Sequence, residues 1–310
     1  MNITNIVVAS PMFKEIQLLI EEKKLKQNFR FLSDEALTQT DIDWADAFVS
    51  FNMKGEFDYR KLKWVHSLGA GVDKFLLEKE WPENVLLTRT ICSFGQRIAE
   101  YCLSYLLKDL QLHDSFKDVQ ADKKWQPATP KLLNEQKVIV YGTGEIGQSV
   151  AKILSYFGVE VYGVSLSGKQ KNGFNKVLNL DGHYEILNEM DYLINTLPLT
   201  EQTFGLFDET IYNKLSNAGF INVGRGASVK EEALLDALKQ QTVSFAVLDV
   251  FAEEPLPTGN ALWSHPNVRI TPHISAVTTA REGVDCFVET LRNLEENASL
   301  DNIVDVNRGY

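Results

Sequence analysis

Short apolar runs alternate with amphipathic stretches along the whole of this chain. "NIVVAS" (5–10) leads into "FKEIQLLIEEKKL" (13–25), whose apolar positions recur at helical spacing. "ADAFVSF" (45–51), "KWVHSLG" (63–69) and "VLLTRT" (85–90) read as further strands. One long helix is expected from about Gly95 across "GQRIAEYCLSYLLKDLQLHDSF", with Ile98, Cys102, Tyr105 and Leu106 on its apolar face. Beyond "KKWQPATPKLLNEQ" (123–136), which carries two prolines, a second set of strands begins. Its members are "KVIVYG", "VEVYGVS", "DYLINTLP", "AGFINVG", "SFAVLDVF" and "VRITPH". Strand–helix alternation of this kind predicts parallel sheets covered on both faces, and hence an α/β protein. A last helix, "TTAREGVDCFVETLRNLEEN" (278–297), lies beyond the final strand and is expected to return to the first strand set.

Composition narrows the classes. A chain of 310 residues is about right for two domains, and 44% hydrophobic with 24% charged residues is ordinary globular composition. The net charge of −11 argues against a nucleic-acid partner. "EEKKLKQNFR" (21–30), the most basic stretch, reads as a solvated helix face because acids sit beside its lysines. Cys92, Cys102 and Cys286 are widely spaced with no ligand-like neighbours, so free thiols in a reducing compartment and no metal are expected. "MNITNIVVASPMF" reads as a first strand rather than a leader, and no run reaches the roughly 18 apolar residues of a membrane span. The expected location is the cytoplasm.

"VIVYGTGEIG" gives the second set its first chemistry. An apolar strand runs into Gly142, Gly144 and Gly147, with Glu145 and Ile146 between them opening a helix. In that context the glycines allow a tight turn, a close approach of pyrophosphate and close helix–strand packing. The helix N-terminus offers unpaired N–H groups to the phosphates. Residues 95–280 are therefore expected to form a Rossmann dinucleotide-binding domain. Residues 1–94 with 281–310 are expected to form a smaller, flavodoxin-like substrate domain, with a cleft between the two doubly wound parallel sheets.

An acid about 20 residues further on would read the ribose of NAD. At that place stands Ser165, followed by Leu166 and Ser167. Small hydroxyls leave room for a 2′-phosphate, and Lys169 or Lys171 could neutralise it, which leans toward NADP(H) over NAD(H). Against this, Leu166 occupies the place where an arginine would clamp the phosphate, and the lysines are also readable as ordinary loop charges.

Downstream, Arg225, Glu254 and His273 each fall just beyond the carboxyl end of a strand, where doubly wound folds place their chemistry. The set suits a keto acid receiving hydride. Arg225 offers a donor fork to a carboxylate and its adjacent carbonyl. His273 can protonate the alkoxide, and Glu254 can hold the imidazole and favour its charged form.

With these residues a resemblance becomes plain. "GTGEIG", "NVGRGASVKEEALLDAL", "LDVFAEEPLP" and "TPHISA" resemble the D-isomer-specific 2-hydroxyacid dehydrogenases, over nearly the whole sequence. The resemblance implies a hydride-transfer enzyme with Arg225, Glu254 and His273 as catalytic residues. It implies further that Asp249 holds the nicotinamide carboxamide while Leu197, Pro198, Thr203 and Val223 line the cofactor site. "SLGAGVD" (67–73) is similar to the family's substrate-carboxylate loop, which implies binding through the backbone amides of Ala70 and Gly71. A homodimer joined through the nucleotide domains is also implied. "GQRIAEY", "KKWQP" and "GVSLSG" look most like the glyoxylate/hydroxypyruvate reductase branch, whose members often carry Ser-Arg-Ser at the strand end and prefer NADPH. Leu166 is a departure from that pattern. "FNM" (51–53) is expected to shape the substrate pocket.

The expected reaction is NAD(P)H-dependent reduction of a small 2-keto acid to its D-2-hydroxy acid, with His273 as general acid. One alternative is an NADH-dependent dehydrogenase of D-lactate or of branched D-2-hydroxy acids. A second is a nucleotide-sensing, corepressor-like interaction protein.

Overall fold

The computed structural model describes residues 1–51, 55–76 and 80–309, so Asn52 and Met53 of the "FNM" stretch lie outside the described residues. Internal contacts divide the molecule into two units, residues 1–92 with 278–310, and residues 93–277.

In the first unit the order of elements is β1 (Asn5–Ala9), α1 (Phe13–Lys23), β2 (Asn28–Leu32), α2 (Gln39–Trp44), β3 (Ala47–Ser50), β4 (Trp64–Ser67), α3 (Asp73–Leu76) and β5 (Leu86–Arg89). The five strands are parallel in the order β2-β1-β3-β4-β5, the flavodoxin-like order. Alternation along β1 sets the two faces. Ile6 and Val8 pack with α1 and with the last helix of the protein, whereas Val7 and Ala9 pack with Ile42, Phe48 and Val65.

One strand departs from the sequence expectation. "EEKKLKQNFR" is not a continuous helix face: Lys24 turns left-handed at the end of α1, and Asn28–Leu32 forms the edge strand β2. An edge strand has one neighbour and exposed flanks, so its charged residues masked it.

The second unit opens with α4 (Phe94–Leu110) and α5 (His113–Ala121). The single long helix expected here is broken at Leu112, which takes a left-handed φ of 57°. There follow β6 (Lys137–Tyr141), α6 (Glu145–Tyr156), β7 (Glu160–Val164), β8 (Lys176–Leu178), β9 (Tyr192–Asn195), α7 (Glu209–Tyr212), β10 (Ala218–Asn222), α8 (Glu231–Gln240), β11 (Val243–Leu248) and β12 (Val268–Ile270). The sheet is seven-stranded and parallel, in the order β12-β11-β10-β9-β6-β7-β8. Six of its strands were legible as apolar runs. The seventh, β8, is three residues long at an edge and too short to show a period.

Both faces of this sheet are covered. Ile139 and Tyr141 of β6 face one apolar cluster with Leu193 and Phe220, and Val138 and Val140 face another with Cys102, Val150 and Leu154. The last helix, α9 (Ala280–Glu296), is capped by Thr279 with Glu282 in a capping box and buries Val284, Phe287 and Leu291 in the first unit.

Candidate active site

The glycine turn lies between β6 and α6. Gly142 takes a φ of +98°, a region closed to most side chains. A Cβ on Gly147 would lie 1.8 Å from the Gly142 carbonyl oxygen, so only a hydrogen fits where helix meets strand. At Gly144 a Cβ would meet nothing within 4 Å, which leaves the surface over the helix N-terminus open. Glu145 and Ile146 are the first helical residues, and their N–H groups precede the first intrahelical hydrogen bonds. Open space above unpaired donors at the positive end of a helix fits a dinucleotide's pyrophosphate.

Ser165 and Ser167 sit at the carboxyl end of β7. Their hydroxyls brace the following turn, Ser165 Oγ accepting from Gly168 N at 3.2 Å and Ser167 Oγ from Lys169 N at 3.3 Å. Leu166, Lys169 and Lys171 point into solvent.

The loops after β9 and β10 are tied together from below. Asn195 Nδ2 donates to Asn222 Oδ1 and to Ser228 Oγ, each at 2.9 Å. Asn195 Oδ1 accepts from Leu197 N at 3.0 Å, and Thr203 Oγ1 donates to the Pro198 carbonyl at 2.7 Å. Val223 is buried beside them. Asn195, Asn222 and Ser228 are fully or almost fully buried and were missed in the sequence; the signal for the two asparagines is a polar residue closing an apolar run, "YLIN" and "GFIN".

Arg225, Glu254 and His273 follow β10, β11 and β12, neighbouring parallel strands, so all three stand at the same end of one sheet. Arg225 Nη1 donates to the Gly224 carbonyl at 2.8 Å. The next residue, Gly226, presses on the backbone after β11, where a Cβ would come within 1.8 Å of the Phe251 carbonyl carbon. Phe251 N–H in turn donates to Glu254 Oε1 at 2.9 Å. The other carboxylate oxygen, Oε2, pairs with His273 Nδ1 at 2.9 Å. Half of the His273 side-chain surface remains exposed, and Nδ1 is the ring nitrogen taken up by Glu254.

His273 has a left-handed φ of 55°. Its N–H donates to the Asp249 carbonyl at 2.8 Å, and the next two amides, Ile274 N and Ser275 N, donate to the Asp249 carboxylate at 2.8 and 2.9 Å. Asp249 was expected beside a nicotinamide carboxamide. It is fully buried, and the geometry gives its carboxylate to the turn that carries the histidine.

In the first unit, the loop after β4 presents Ala70 and Gly71. Ser67 Oγ lies 3.2 Å from the Gly69 carbonyl and 3.1 Å from that of Gly71, and Arg89 Nη1 donates to the Ala70 carbonyl at 3.2 Å. In a planar trans peptide the N–H points opposite to the carbonyl. The amides of Ala70 and Gly71 are therefore aimed away from Ser67 and Arg89. Among the described residues, no group of three or more His, Cys, Asp or Glu is placed to hold a metal, and no helix is long and apolar enough to cross a membrane.

Residues 103–275 match the profile described as D-isomer specific 2-hydroxyacid dehydrogenase, NAD binding domain. Glyoxylate/hydroxypyruvate reductase A of Serratia proteamaculans is 35% identical over 257 residues, 81% of this chain and 82% of the relative. A D-isomer specific 2-hydroxyacid dehydrogenase from Xanthobacter autotrophicus, solved with NADPH and MES, superposes with a TM-score of 0.89 at 29% identity, covering 100% of both proteins. An NADPH-dependent glyoxylate/hydroxypyruvate reductase from Sinorhizobium meliloti, solved with NADP and sulfate, gives 0.86 at 26% identity over 99% of this chain and 100% of that one. The chain belongs to the D-isomer-specific 2-hydroxyacid dehydrogenase family of oxidoreductases, and within it is similar to the glyoxylate/hydroxypyruvate reductases.

Proposed function

We propose that this enzyme reduces a small 2-keto acid of the glyoxylate or hydroxypyruvate type to the D-2-hydroxy acid, with NADPH as the hydride source. The observation that carries the reading is the His273–Glu254 pair, 2.9 Å apart with the imidazole half exposed, next to the loop that bears Arg225. Bound at the glycine turn through Gly142, Gly144, Glu145, Ile146 and Gly147, the nicotinamide cofactor supplies the hydride. The Arg225 guanidinium binds the substrate carboxylate and polarises the adjacent carbonyl. His273 gives the proton on Nε2 to the oxygen that gains charge, while Glu254 keeps Nδ1–H engaged and the ring oriented. The amides of Ala70 and Gly71 offer a second hold on the carboxylate. Leu197, Pro198, Thr203 and Val223 shape the cofactor side of the site.

Preference for the phosphorylated cofactor is supported by Ser165 and Ser167, which put no acid against a 2′-phosphate, and by the NADPH and NADP held by the two structural neighbours. Lys169 and Lys171, both exposed just beyond the serines, carry positive charge that can serve in place of the arginine absent at Leu166. The assembly we propose is a homodimer in the cytoplasm. Helix α5 buries none of its residues, residues 121–132 are exposed throughout, and Trp125 is 100% exposed, a surface that suits a second copy of the protein. Sedimentation of wild type and Trp125→Glu tests this, with a shift to monomer expected.

The direct test of function is a panel of glyoxylate, hydroxypyruvate, pyruvate and 2-ketoisocaproate run with NADPH and with NADH, following nicotinamide absorbance and the chirality of the product. Fast NADPH oxidation with the first two supports the reading. Faster turnover of 2-ketoisocaproate with NADH would replace it by a dehydrogenase of branched acids, and cofactor binding with no turnover by a sensor.

A further inference from the structure

Helix α4 runs beneath the His273 turn and touches it at both ends. Tyr101 Oη lies 2.6 Å from Thr271 Oγ1, and Thr271 Oγ1 lies 2.6 Å from Asp249 Oδ1. The direction of this relay is set by its acceptor end. The Asp249 carboxylate receives the hydroxyl hydrogen of Thr271 along with two backbone N–H groups, so Thr271 can only accept from Tyr101, and Tyr101 donates. Burial pushes the Tyr101 hydroxyl up, further out of reach of deprotonation, which keeps that donor in place. One helical turn earlier on the same face of α4, Arg97 donates to the Val277 carbonyl. The segment from Thr271 to Val277 is thus gripped from below at its start and its end. Between the grips, His273 holds an unfavourable left-handed φ, and Ile274 beside it is 48% exposed. Packing alone gives such a turn little support.

We propose that Arg97, Tyr101 and Thr271 are positioning residues for the general acid: they orient Asp249 and the 271–277 segment so that the backbone presents the imidazole in one direction. The kinetic part of the test rests on the reductase reading; the spectroscopic part does not. The relay is serial, with Tyr101 acting on Asp249 only through Thr271, and this separates it from a general effect on stability.

The experiment compares Tyr101→Phe, Thr271→Val, their double variant, Thr271→Ser and Arg97→Met with wild type, using the keto-acid assay and NADPH titration. Tyr101→Phe and Thr271→Val should each lower kcat by about tenfold, the worth of one net hydrogen bond. NADPH affinity should stay within about threefold, since neither residue touches the cofactor turn. Arg97→Met should act in the same direction with a smaller loss. Thr271→Ser, which keeps the hydroxyl, should restore most of the rate. The double variant should be no slower than Thr271→Val alone, because the Tyr101 contribution has already been removed. Two results would overturn the inference: kcat for Tyr101→Phe within twofold of wild type, or losses that multiply in the double variant. Imidazole NMR of His273, assigned with His273→Asn, gives the readout without turnover. A single sharp resonance set should shift or split in Thr271→Val and return in Thr271→Ser; an unchanged spectrum overturns the inference even if no keto acid is reduced. A wild type inactive on every keto acid, with the spectroscopic result intact, would instead overturn the reductase reading.

Discussion

Two histidines, one in each unit, show what their surroundings make of the same side chain. His66 lies on β4 of the first unit with no exposed surface, and His273 follows β12 of the second with half its side chain in solvent. The hydrogen bonds around His66 run one way. Trp64 Nε1 donates to Thr88 Oγ1 at 2.8 Å, and Thr88 faces His66 Nδ1 at 2.8 Å. On the other side His66 Nε2 meets Thr90 Oγ1 at 3.3 Å, and Thr90 gives its hydrogen to the Ser67 carbonyl. Because that hydrogen is spent, Nε2 donates, and in the neutral ring that burial favours, Nδ1 accepts the hydrogen of Thr88. Its partners are hydroxyls, none of which stabilises a positive charge, and burial pushes His66 down to about 3. His273 has a carboxylate for a partner and an open nitrogen. One ring is held neutral inside a sheet, and the other pairs with a carboxylate at the surface, as the proposed proton transfer requires.

Four measurements would sharpen that contrast or break it. The largest effect is expected at His273: replacement by alanine should reduce kcat by about 10³-fold, the range for a lost general acid, with cofactor affinity nearly unchanged. Equal turnover by wild type and variant would remove the general-acid assignment. Next comes Arg225→Ala, which removes a charged fork and should cost at least about 3 kcal/mol in kcat/KM. A loss under tenfold would mean that the substrate carboxylate is held elsewhere, with the Ala70 and Gly71 amides the first place to look.

The third effect belongs to His66 and concerns stability. Its ring is neutral when folded, while in the unfolded state it takes up a proton below about pH 6.5. The unfolded state therefore binds more protons between pH 6.5 and about 3, so stability is complete above that window and falls as the solution is acidified. Denaturant titrations between pH 7 and 5 should show wild type losing up to about 1.4 kcal/mol per pH unit from this group, and His66→Leu a shallower slope. Identical slopes would show that His66 titrates normally. The smallest effect is on the cofactor. Ser165→Asp should move preference toward NADH by about tenfold through repulsion of a 2′-phosphate, measured as the ratio of the two dissociation constants. No movement in the ratio would put the phosphate away from the end of β7.

Much of the fold was legible because buried parallel strands announce themselves. "KVIVY" and "AGFIN" are almost wholly apolar, and no solvent-facing element needs that pattern. The two strands that escaped, β2 and β8, are edge strands with charged or exposed positions. The break at Leu112 escaped too, because apolar spacing continues across it. In the site, Arg225, Glu254 and His273 were readable one by one at strand ends. Their partners were not. Tyr101 is separated by 170 positions from the hydroxyl it touches, and no local pattern marks such a pair.

Local chemistry alone determined the α/β alternation, the glycine turn and the residue types available for hydride chemistry, since periodicity and turn geometry act within a few neighbours along the backbone. Only the tertiary structure decided that the Glu254 carboxylate meets the His273 ring, that the Asp249 carboxylate accepts from the turn that carries the histidine, and that one histidine is neutral while the other faces solvent. Those outcomes depend on burial and on which donors converge in space, quantities that a sequence does not carry until strands far apart in it lie side by side.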